Sequence, residues 1–196
     1  MPRKPRIDIP DSMHHVAARA NQDKPLFREP EDRREFLNDL RSVIHRHAWR
    51  CHAYCLMGTH FHLLVYTVDA TLSAGMARLC SSYAQWFNWK YKRHGHLFGS
   101  RFMSRHIADE AHLLEAHRYV ALNPVRAEHC DSPAGWHWGS YRALAGLERP
   151  IDFLDVDAVL GLFGEQREAA QSEYRDLVLS GIEELGSDPF GVRPRP

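Results

Sequence analysis

Two apolar stretches separated by Gly58 and Thr59 constrain the fold more than any other feature of the sequence. The first, CHAYCLM (51–57), and the second, HFHLLVYT (60–67), each have the length and composition of a β-strand. A gap of two residues between strand-like runs is typical of a tight β-hairpin. We therefore predict that residues 51–67 form two adjacent antiparallel strands.

Helix-like and strand-like patterns alternate around this hairpin. The order of the predicted elements is β, α, β, β, α, β, α, which favours an α+β domain with a small antiparallel β-sheet covered by helices, similar to a ferredoxin-like or split βαβ arrangement. The last of these helices should stop near Asn123, because Pro124 has no N–H and restricts the residue before it. Besides the hairpin, the predicted elements are strands at 13–20 and 101–107 and helices at 31–48, 71–91 and 108–122.

Charge divides the chain into two parts, although Lys and Arg together equal Asp and Glu at 25 each. Residues 1–145 contain 20 basic and 14 acidic residues, a net charge of +6, whereas residues 146–196 contain 5 basic and 11 acidic residues, a net charge of −6. We predict one globular domain at 1–147, an acidic helical extension at 148–188 and a disordered tail at 189–196 that is rich in Pro and Gly.

The sequence predicts a cytoplasmic protein without a membrane partner. No segment approaches the ~20 apolar residues that cross a bilayer, and the first residues lack the apolar region of a signal peptide. The four cysteines form no CxxC pair, so neither a disulfide-rich fold nor a four-thiolate zinc site is indicated.

Two histidines stand one residue apart in the second strand of the hairpin. Successive side chains of a strand point to opposite faces, so His60 and His62 project from the same face, about 7 Å apart. Neutral imidazole is a common metal ligand, and two rings held on one strand are able to share a cation. The alternative is that both rings are satisfied by hydrogen bonds at the end of the strand.

A tyrosine and an asparagine share one face of the predicted helix that ends the domain. Tyr119 and Asn123 are four residues apart, with Glu115 one turn earlier. The alternative is a core aromatic residue and an ordinary residue at the end of the helix. If the helix lies beside the hairpin, His60, His62 and Asn123 form a three-ligand cation site next to a tyrosine.

Four motifs occur in a fixed order: AYCLMGTHFHLLVYT, GHLFGSRFMSRHI, RYVALNPVRA and WHWGSYRALAG. In this combination the sequence resembles the HUH single-tyrosine transposases, specifically the REP-associated tyrosine transposases of bacteria, over about residues 1–147. The resemblance implies the HUH endonuclease fold, a divalent cation (Mg²⁺ or Mn²⁺) and cleavage and rejoining of single-stranded, hairpin-bearing DNA such as REP-like palindromes. It also implies that His60 and His62 are the HUH pair, that Tyr119 becomes linked to a 5′ phosphate, and that Asn123 is the third metal ligand.

Basic and aromatic residues are interleaved between Asp69 and Asp109, where the sequence has no acidic residue. This mixture suits a polyanion with bases that stack, although an amphipathic helix with core aromatics and a solvated basic face gives the same pattern. Arg126 lies close to the predicted site and either binds a phosphate or pairs with Glu128. The predicted DNA-binding residues are Lys90, Lys92, Arg93, Arg101, Arg105 and Arg126.

Two other functions are compatible with parts of the pattern. A metallohydrolase would use His60 and His62 to activate water, with zinc and no covalent adduct, but neither HxHxDH nor HExxH is present. A non-catalytic relative that binds palindromic DNA would keep the basic surface without needing the histidines, the tyrosine and the asparagine together. The sequence is compatible with either a monomer or a homodimer.

Overall fold

Four strands form a single antiparallel sheet in this computed structural model, which describes residues 8–182. The end of the predicted extension and the predicted tail at 189–196 lie outside these residues. The strands are β1 (Ser12–Arg19), β2 (Arg50–Leu56), β3 (His60–Thr67) and β4 (Met103–Ile107). Their order across the sheet is β2-β3-β1-β4. The predicted hairpin is present, and the N–H of Met57 donates to the carbonyl of His60 at 2.9 Å across its turn.

Helices connect the strands in the order that the sequence predicts. Because β3 lies between β1 and β2, and β1 lies between β3 and β4, the chain contains two split βαβ units. The predicted α+β class with an antiparallel sheet is therefore confirmed. The helices are α1 (Pro30–His47), α2 (Leu72–Lys90), α3 (Glu110–Arg126), α4 (Tyr141–Leu144), α5 (Val156–Leu160) and α6 (Arg167–Ser180).

One face of the sheet packs against α1 and α2 and is mostly apolar, with Ser12, His14 and Thr67 buried at one end. Phe61 on β3 lies under Phe36 of α1, with ring centroids 4.6 Å apart, and Phe36 in turn meets Tyr83 of α2 at 5.3 Å. All three side chains are fully buried. Gly75 allows α2 to pack closely on the ring of Trp49, since a Cβ at position 75 would lie 2.2 Å from that ring. This face carries the main hydrophobic core.

The other face of the sheet is covered by α3 over only part of its width. Leu64 of β3 and Cys55 of β2 pack with Ala116 and Val120 of α3 in a second, smaller cluster. The far edge of this face is open, because residues 103–106 of β4 are exposed. The second face is therefore a shallow surface bounded by α3 on one side and by the edge strand on the other.

The end of α3 differs from the prediction. The helix continues through Asn123 and Pro124 to Arg126, although proline has no N–H. Only the final turn follows Pro124, and the carbonyls of Asn123 and Pro124 accept from the N–H groups of Ala127 and His129 at 3.1 and 2.9 Å. The prediction of a stop near Asn123 was wrong, and the extra turn keeps Asn123 and Arg126 on the same helix as Tyr119.

The described part of the acidic segment packs against the domain. Tyr174 and Val178 of α6 and Val159 of α5 are fully buried in the main hydrophobic cluster. A Cβ at Gly181 would lie 2.5 Å from Arg118 of α3, so the end of α6 approaches α3 closely. Within residues 8–182, no helix is long and apolar enough to span a bilayer.

Candidate active site

Cross-strand pairing places four polar residues on the partly open face of the sheet. On β3, His60 lies opposite Arg19 and His62 opposite Ala17, while His15 of β1 lies opposite Leu64. Paired residues of an antiparallel ladder project to the same face, and residues two apart on one strand do so as well. His15, Arg19, His60 and His62 therefore lie on the α3 side, and the intervening residues enter the apolar core.

His60, His62 and Asn123 converge as the sequence predicts. The ring centroids of the two histidines are 5.1 Å apart, with the planes at 87°. His60 Nε2 lies 3.3 Å from Asn123 Oδ1, a contact between β3 and the last turn of α3. On its other side, His60 Nδ1 lies 3.2 Å from the hydroxyl of Thr59. The three side chains thus meet at the junction of sheet and helix.

His62 is electrically neutral at neutral pH. It is fully buried, and this burial, reinforced by the nearby charges of His60, His15, Arg19 and Arg126, holds the pKa of His62 well below 6.5. Its Nδ1 lies 3.0 Å from Nε2 of His15. Its Nε2 is buried and has no hydrogen-bond partner among residues 8–182. A neutral imidazole with an unsatisfied buried nitrogen is the form that binds metal ions.

The geometry fits a divalent cation held by two ring nitrogens and an amide oxygen. Two ligands ~2.1 Å from one octahedral ion lie about 3 Å apart, close to the distance between His60 Nε2 and Asn123 Oδ1. No cluster of three His, Cys, Asp or Glu side chains in the described part of the chain could hold a metal ion. The candidate set therefore depends on the amide of Asn123 and on groups from the substrate.

Tyr119 lies against these histidines. Its ring centroid is 5.5 Å from that of His62 and 5.6 Å from that of His15, both in edge-to-face geometry. The guanidinium carbon of Arg126 lies 4.9 Å from the centre of the tyrosine ring. Only 3% of Tyr119 is exposed. The phenol is therefore beside the histidines but is covered in this conformation.

The sequence matches a protein-family model described as "Transposase IS200 like" over residues 9–123. The chain belongs to the IS200-like transposase family. The matched segment comprises more than half of the chain and contains all four strands, both histidines of the pair, Tyr119 and Asn123. The resemblance inferred from the sequence motifs is confirmed at the level of the family. No curated protein matches the chain.

A solved structure supports the fold of this transposase. A REP-associated tyrosine transposase, whose structure was solved with a bound REP hairpin, superposes with a TM-score of 0.64 at 16% identity, covering 85% of this chain and 98% of that one. The tRNA(His) guanylyltransferase of Saccharomyces cerevisiae reaches a TM-score of 0.45 at 8% identity, covering 98% of this chain and 85% of that one. A TM-score below 0.5 does not establish a shared fold, so nothing about this chain is inferred from the second structure.

The three predicted DNA-binding residues near the end of α2 differ in their surroundings. Lys90 forms ion pairs with Glu29, Glu31 and Asp32 at 2.7, 2.7 and 2.9 Å. Lys92 is exposed just beyond the helix. Arg93 is partly buried, with its guanidinium carbon 5.5 Å from the centre of the Phe87 ring. Lys90 joins α2 to the start of α1, and Lys92 is the most accessible of the three.

Of the other three predicted basic residues, Arg105 and Arg126 lie near the histidines. Arg101 is exposed and precedes β4, because the strand begins at Met103 rather than at 101 as predicted. Arg105 is exposed on β4 opposite His15, and it therefore lies on the same face as the histidines. Arg126 covers Tyr119.

Sequence reasoning missed three residues of the site in this transposase. Arg19 lies opposite His60, and its charge lowers the pKa of His62. Thr59 contacts Nδ1 of His60, and His15 contacts Nδ1 of His62. The strand pattern HHVAARA contained a usable signal, since His15 and Arg19 are four residues apart and must share a face. Their proximity to His60 depends on strand order, which the sequence alone did not give.

Proposed function

We propose that the protein is a metal-dependent transposase that cleaves and rejoins single-stranded DNA bearing hairpins through a 5′-phosphotyrosine intermediate. The observation that carries this proposal is the meeting of His60, His62, Asn123 and Tyr119 on one partly open face of the sheet. Membership of the IS200-like transposase family supports the same reaction class.

Each residue has a separate role in the proposed reaction. The hydroxyl oxygen of Tyr119 attacks the scissile phosphorus, the bond to the 3′ oxygen breaks, and that oxygen leaves with a proton as a 3′ hydroxyl. His60, His62 and Asn123 hold the cation, which when bound neutralises charge on the phosphoryl oxygens and favours the phenolate. A later 3′ hydroxyl attacks the phosphotyrosine and restores a phosphodiester, so the strand is rejoined without loss of bond energy.

The ligand set favours Mn²⁺ or Mg²⁺ completed by the substrate. Imidazole nitrogen suits Mn²⁺ better than Mg²⁺, which prefers oxygen ligands and keeps several waters. A DNA phosphate and water would supply the remaining ligands. Both ions therefore belong in the test, with faster cleavage expected in Mn²⁺.

Tyr119 must become accessible for the reaction to occur. Arg126 lies over the tyrosine ring, and a guanidinium is able to bind a phosphate through two parallel hydrogen bonds. We propose that the scissile phosphate draws Arg126 away from the ring, which both uncovers the phenol and positions the phosphate. Arg19 and Arg105, on the same face as the histidines, would contact neighbouring phosphates.

A hairpin is the proposed recognition element of the substrate. The structurally similar REP-associated transposase is described as bound to a REP hairpin. Exposed positive charge at Lys92 and Arg101 lies along the segment between α2 and β4, and Trp89, 78% exposed, offers a surface on which an unpaired base would stack. The proposed partner is therefore a palindromic DNA element with an unpaired flank.

The proposal is tested by incubating labelled hairpin DNA with the protein and Mn²⁺ or Mg²⁺, followed by a denaturing gel. The wild type should give a slowly migrating protein–DNA adduct, while Tyr119→Phe and His60→Ala should give none. Tyr91→Phe is a matched control, because its hydroxyl contacts Glu29 and Asp32 at the start of α1 and should not be needed. Cleavage without an adduct in zinc would instead indicate a metallohydrolase.

The burial of Tyr119 favours a second candidate function, which is DNA binding without cleavage. A protein that binds palindromic DNA without cutting it has no need of an accessible phenol, and only 3% of this residue is exposed. That function predicts hairpin binding by wild type and Tyr119→Phe with equal affinity and no adduct in either metal. The same gel, run beside a binding assay, separates the two functions.

A further inference from the structure

A second buried histidine lies against His62 on the neighbouring strand. The rings of His15 and His62 lie edge to edge, with their planes 7° apart and their centroids 5.2 Å apart. His15 Nε2 is 3.0 Å from His62 Nδ1, which is the length of a hydrogen bond. Both side chains are almost completely excluded from solvent. One of the two nitrogens must therefore carry the shared proton, and the other must accept it.

Two arrangements of this proton are possible, and they leave His62 in different tautomers. If His15 donates, then His62 Nδ1 is the acceptor and neutral His62 carries its proton on Nε2. Without a cation, Nε2 has no hydrogen-bond partner among residues 8–182 in either arrangement, but an Nε2–H would have to be lost or moved before a metal ion binds. If His62 donates from Nδ1–H, its Nε2 instead carries a lone pair. This lone pair lies beside His60 and Asn123, where a cation would satisfy it.

We propose that His15 is a positioning residue, which accepts a hydrogen bond from Nδ1–H of His62 and so presents the Nε2 lone pair of His62 to the cation. This inference rests on the proposed metal site. It assigns His15 a role in the reaction although His15 touches neither the cation nor the DNA. The hydrogen bond fixes both the tautomer and the direction of the ring.

His60, the other histidine of the proposed metal site, also has a possible hydrogen-bond acceptor beside its Nδ1. His60 Nδ1 lies 3.2 Å from the hydroxyl of Thr59, so a neutral acceptor is available to each ligand histidine. Metal-ligating histidines generally donate their second N–H to an acceptor, often a carboxylate, and loss of that acceptor typically weakens metal binding 10–100-fold. His15 is the more firmly held of the two acceptors, because its side chain is buried on the sheet.

Two substitutions at position 15 separate hydrogen bonding from packing. His15→Phe keeps an aromatic ring beside His62 and removes the acceptor. His15→Gln retains an amide oxygen able to accept from His62. The matched control is His14→Phe, because His14 is the adjacent residue, has the same 4% exposure, and hydrogen-bonds Ser12 Oγ at 2.7 Å on the opposite face of the sheet.

The first measurement uses the metal-free protein and no DNA. Ring-nitrogen NMR of protein labelled with ¹⁵N at histidine reports which nitrogen of His62 carries the proton. The wild type, His15→Gln and His14→Phe should carry it on Nδ1, whereas His15→Phe should move it toward Nε2. The wild-type spectrum decides the tautomer even if His15→Phe does not fold.

The second measurement is calorimetric titration with Mn²⁺. We expect affinity to fall 10–100-fold in His15→Phe, and to change less than about threefold in His15→Gln and His14→Phe. Two results would overturn the proposal while leaving the metal site intact. One is a proton on Nε2 of His62 in the wild type, and the other is a folded His15→Phe variant that binds Mn²⁺ as tightly as the wild type. If the wild type bound neither Mn²⁺ nor Mg²⁺, the proposed metal site itself would fail, and this inference would fail with it.

Discussion

The two faces of the sheet differ in what they bury. The face under α1 and α2 is filled by aromatic and aliphatic side chains such as Phe36, Phe61 and Tyr83. The face under α3 has the smaller apolar cluster, buries His15 and His62 beside it, and remains open along β4. Burying imidazole stabilises a fold less than burying an aliphatic or aromatic side chain, so the second face contributes less to stability than an apolar surface would. The face under α1 and α2 therefore provides most of the hydrophobic core, and the face under α3 holds the residues of the proposed active site.

Phe61 and His60 provide the strongest test of this division, because they are adjacent and project to opposite faces. Phe61→Ala should lower the free energy of unfolding by about 3–5 kcal/mol, since the ring is fully buried in the main core. His60→Ala, at a partly exposed position, should change it by less than about 1 kcal/mol and still abolish adduct formation. Urea denaturation and the adduct assay measure the two effects. Equal loss of stability in both variants would remove the distinction between the faces.

Acid should destabilise the α3 side of the molecule. His117 of α3 faces His52 of β2 and Tyr174 of α6, and burial, followed by repulsion from His52, lowers the pKa of His117 to about 3. Between pH 6.5 and 3 the unfolded chain binds a proton at this position that the folded chain excludes. Stability should therefore fall by about 1.4 kcal/mol per pH unit as the pH drops below 6.5.

His117→Leu isolates this contribution. Neither ring nitrogen of His117 has a hydrogen-bond partner among the described residues, so leucine removes the proton uptake without breaking a hydrogen bond. The difference in unfolding free energy between pH 7.5 and pH 5 should shrink by about 2 kcal/mol in the variant. Urea denaturation at the two pH values measures it. An undiminished difference would assign the acid sensitivity to other groups.

Substitutions of Arg126 test whether this residue, which lies over the ring of Tyr119, also takes part in the reaction. Arg126→Ala should lower the single-turnover rate of adduct formation by about tenfold or more, since the phosphate loses a charge-assisted contact. Arg126→Lys should recover part of the rate, because lysine keeps the charge but not the planar fork. A rate equal to or above that of the wild type in Arg126→Ala would mean that Arg126 only shields the tyrosine.

The smallest expected effect distinguishes Lys92 from Lys90. Lys92 is exposed, so Lys92→Ala should weaken hairpin binding modestly and reduce the slope of log affinity against log salt by about one. Lys90 is engaged by three carboxylates, so Lys90→Ala should leave this slope unchanged. Fluorescence anisotropy at several salt concentrations measures both. Equal slopes in the two variants would contradict the assignment.

Local patterns predicted the fold well, because each strand and helix carries its own periodicity. The hairpin turn at Gly58 and Thr59 and the strand beginning at His60 follow directly from such patterns. Two element boundaries differed: β4 begins two residues later than predicted, and hydrogen bonds after Pro124 extend α3 by one further turn. The resemblance of the motifs identified the family for the same reason, since the motifs lie on contiguous segments.

Contacts between distant segments could not be predicted in the same way. Strand order places His15 beside His62, and helix packing brings Lys90 to the carboxylates at the start of α1. The burial of Tyr119 likewise depends on Arg126 and on the sheet beneath it. Sequence reasoning therefore named the reactive groups of the candidate site, and the structure supplied the residues that surround them.

The central claim is that Tyr119, beside His60 and His62, is the residue that joins to DNA. It is tested most directly with a hairpin in which sulfur replaces the scissile 3′ oxygen, so that the released thiol does not readily reverse the reaction. Mass spectrometry of the digested adduct should identify a single peptide that carries a 5′ nucleotide on Tyr119. Linkage to another tyrosine, or cleavage of the DNA with no modified peptide, would contradict the claim.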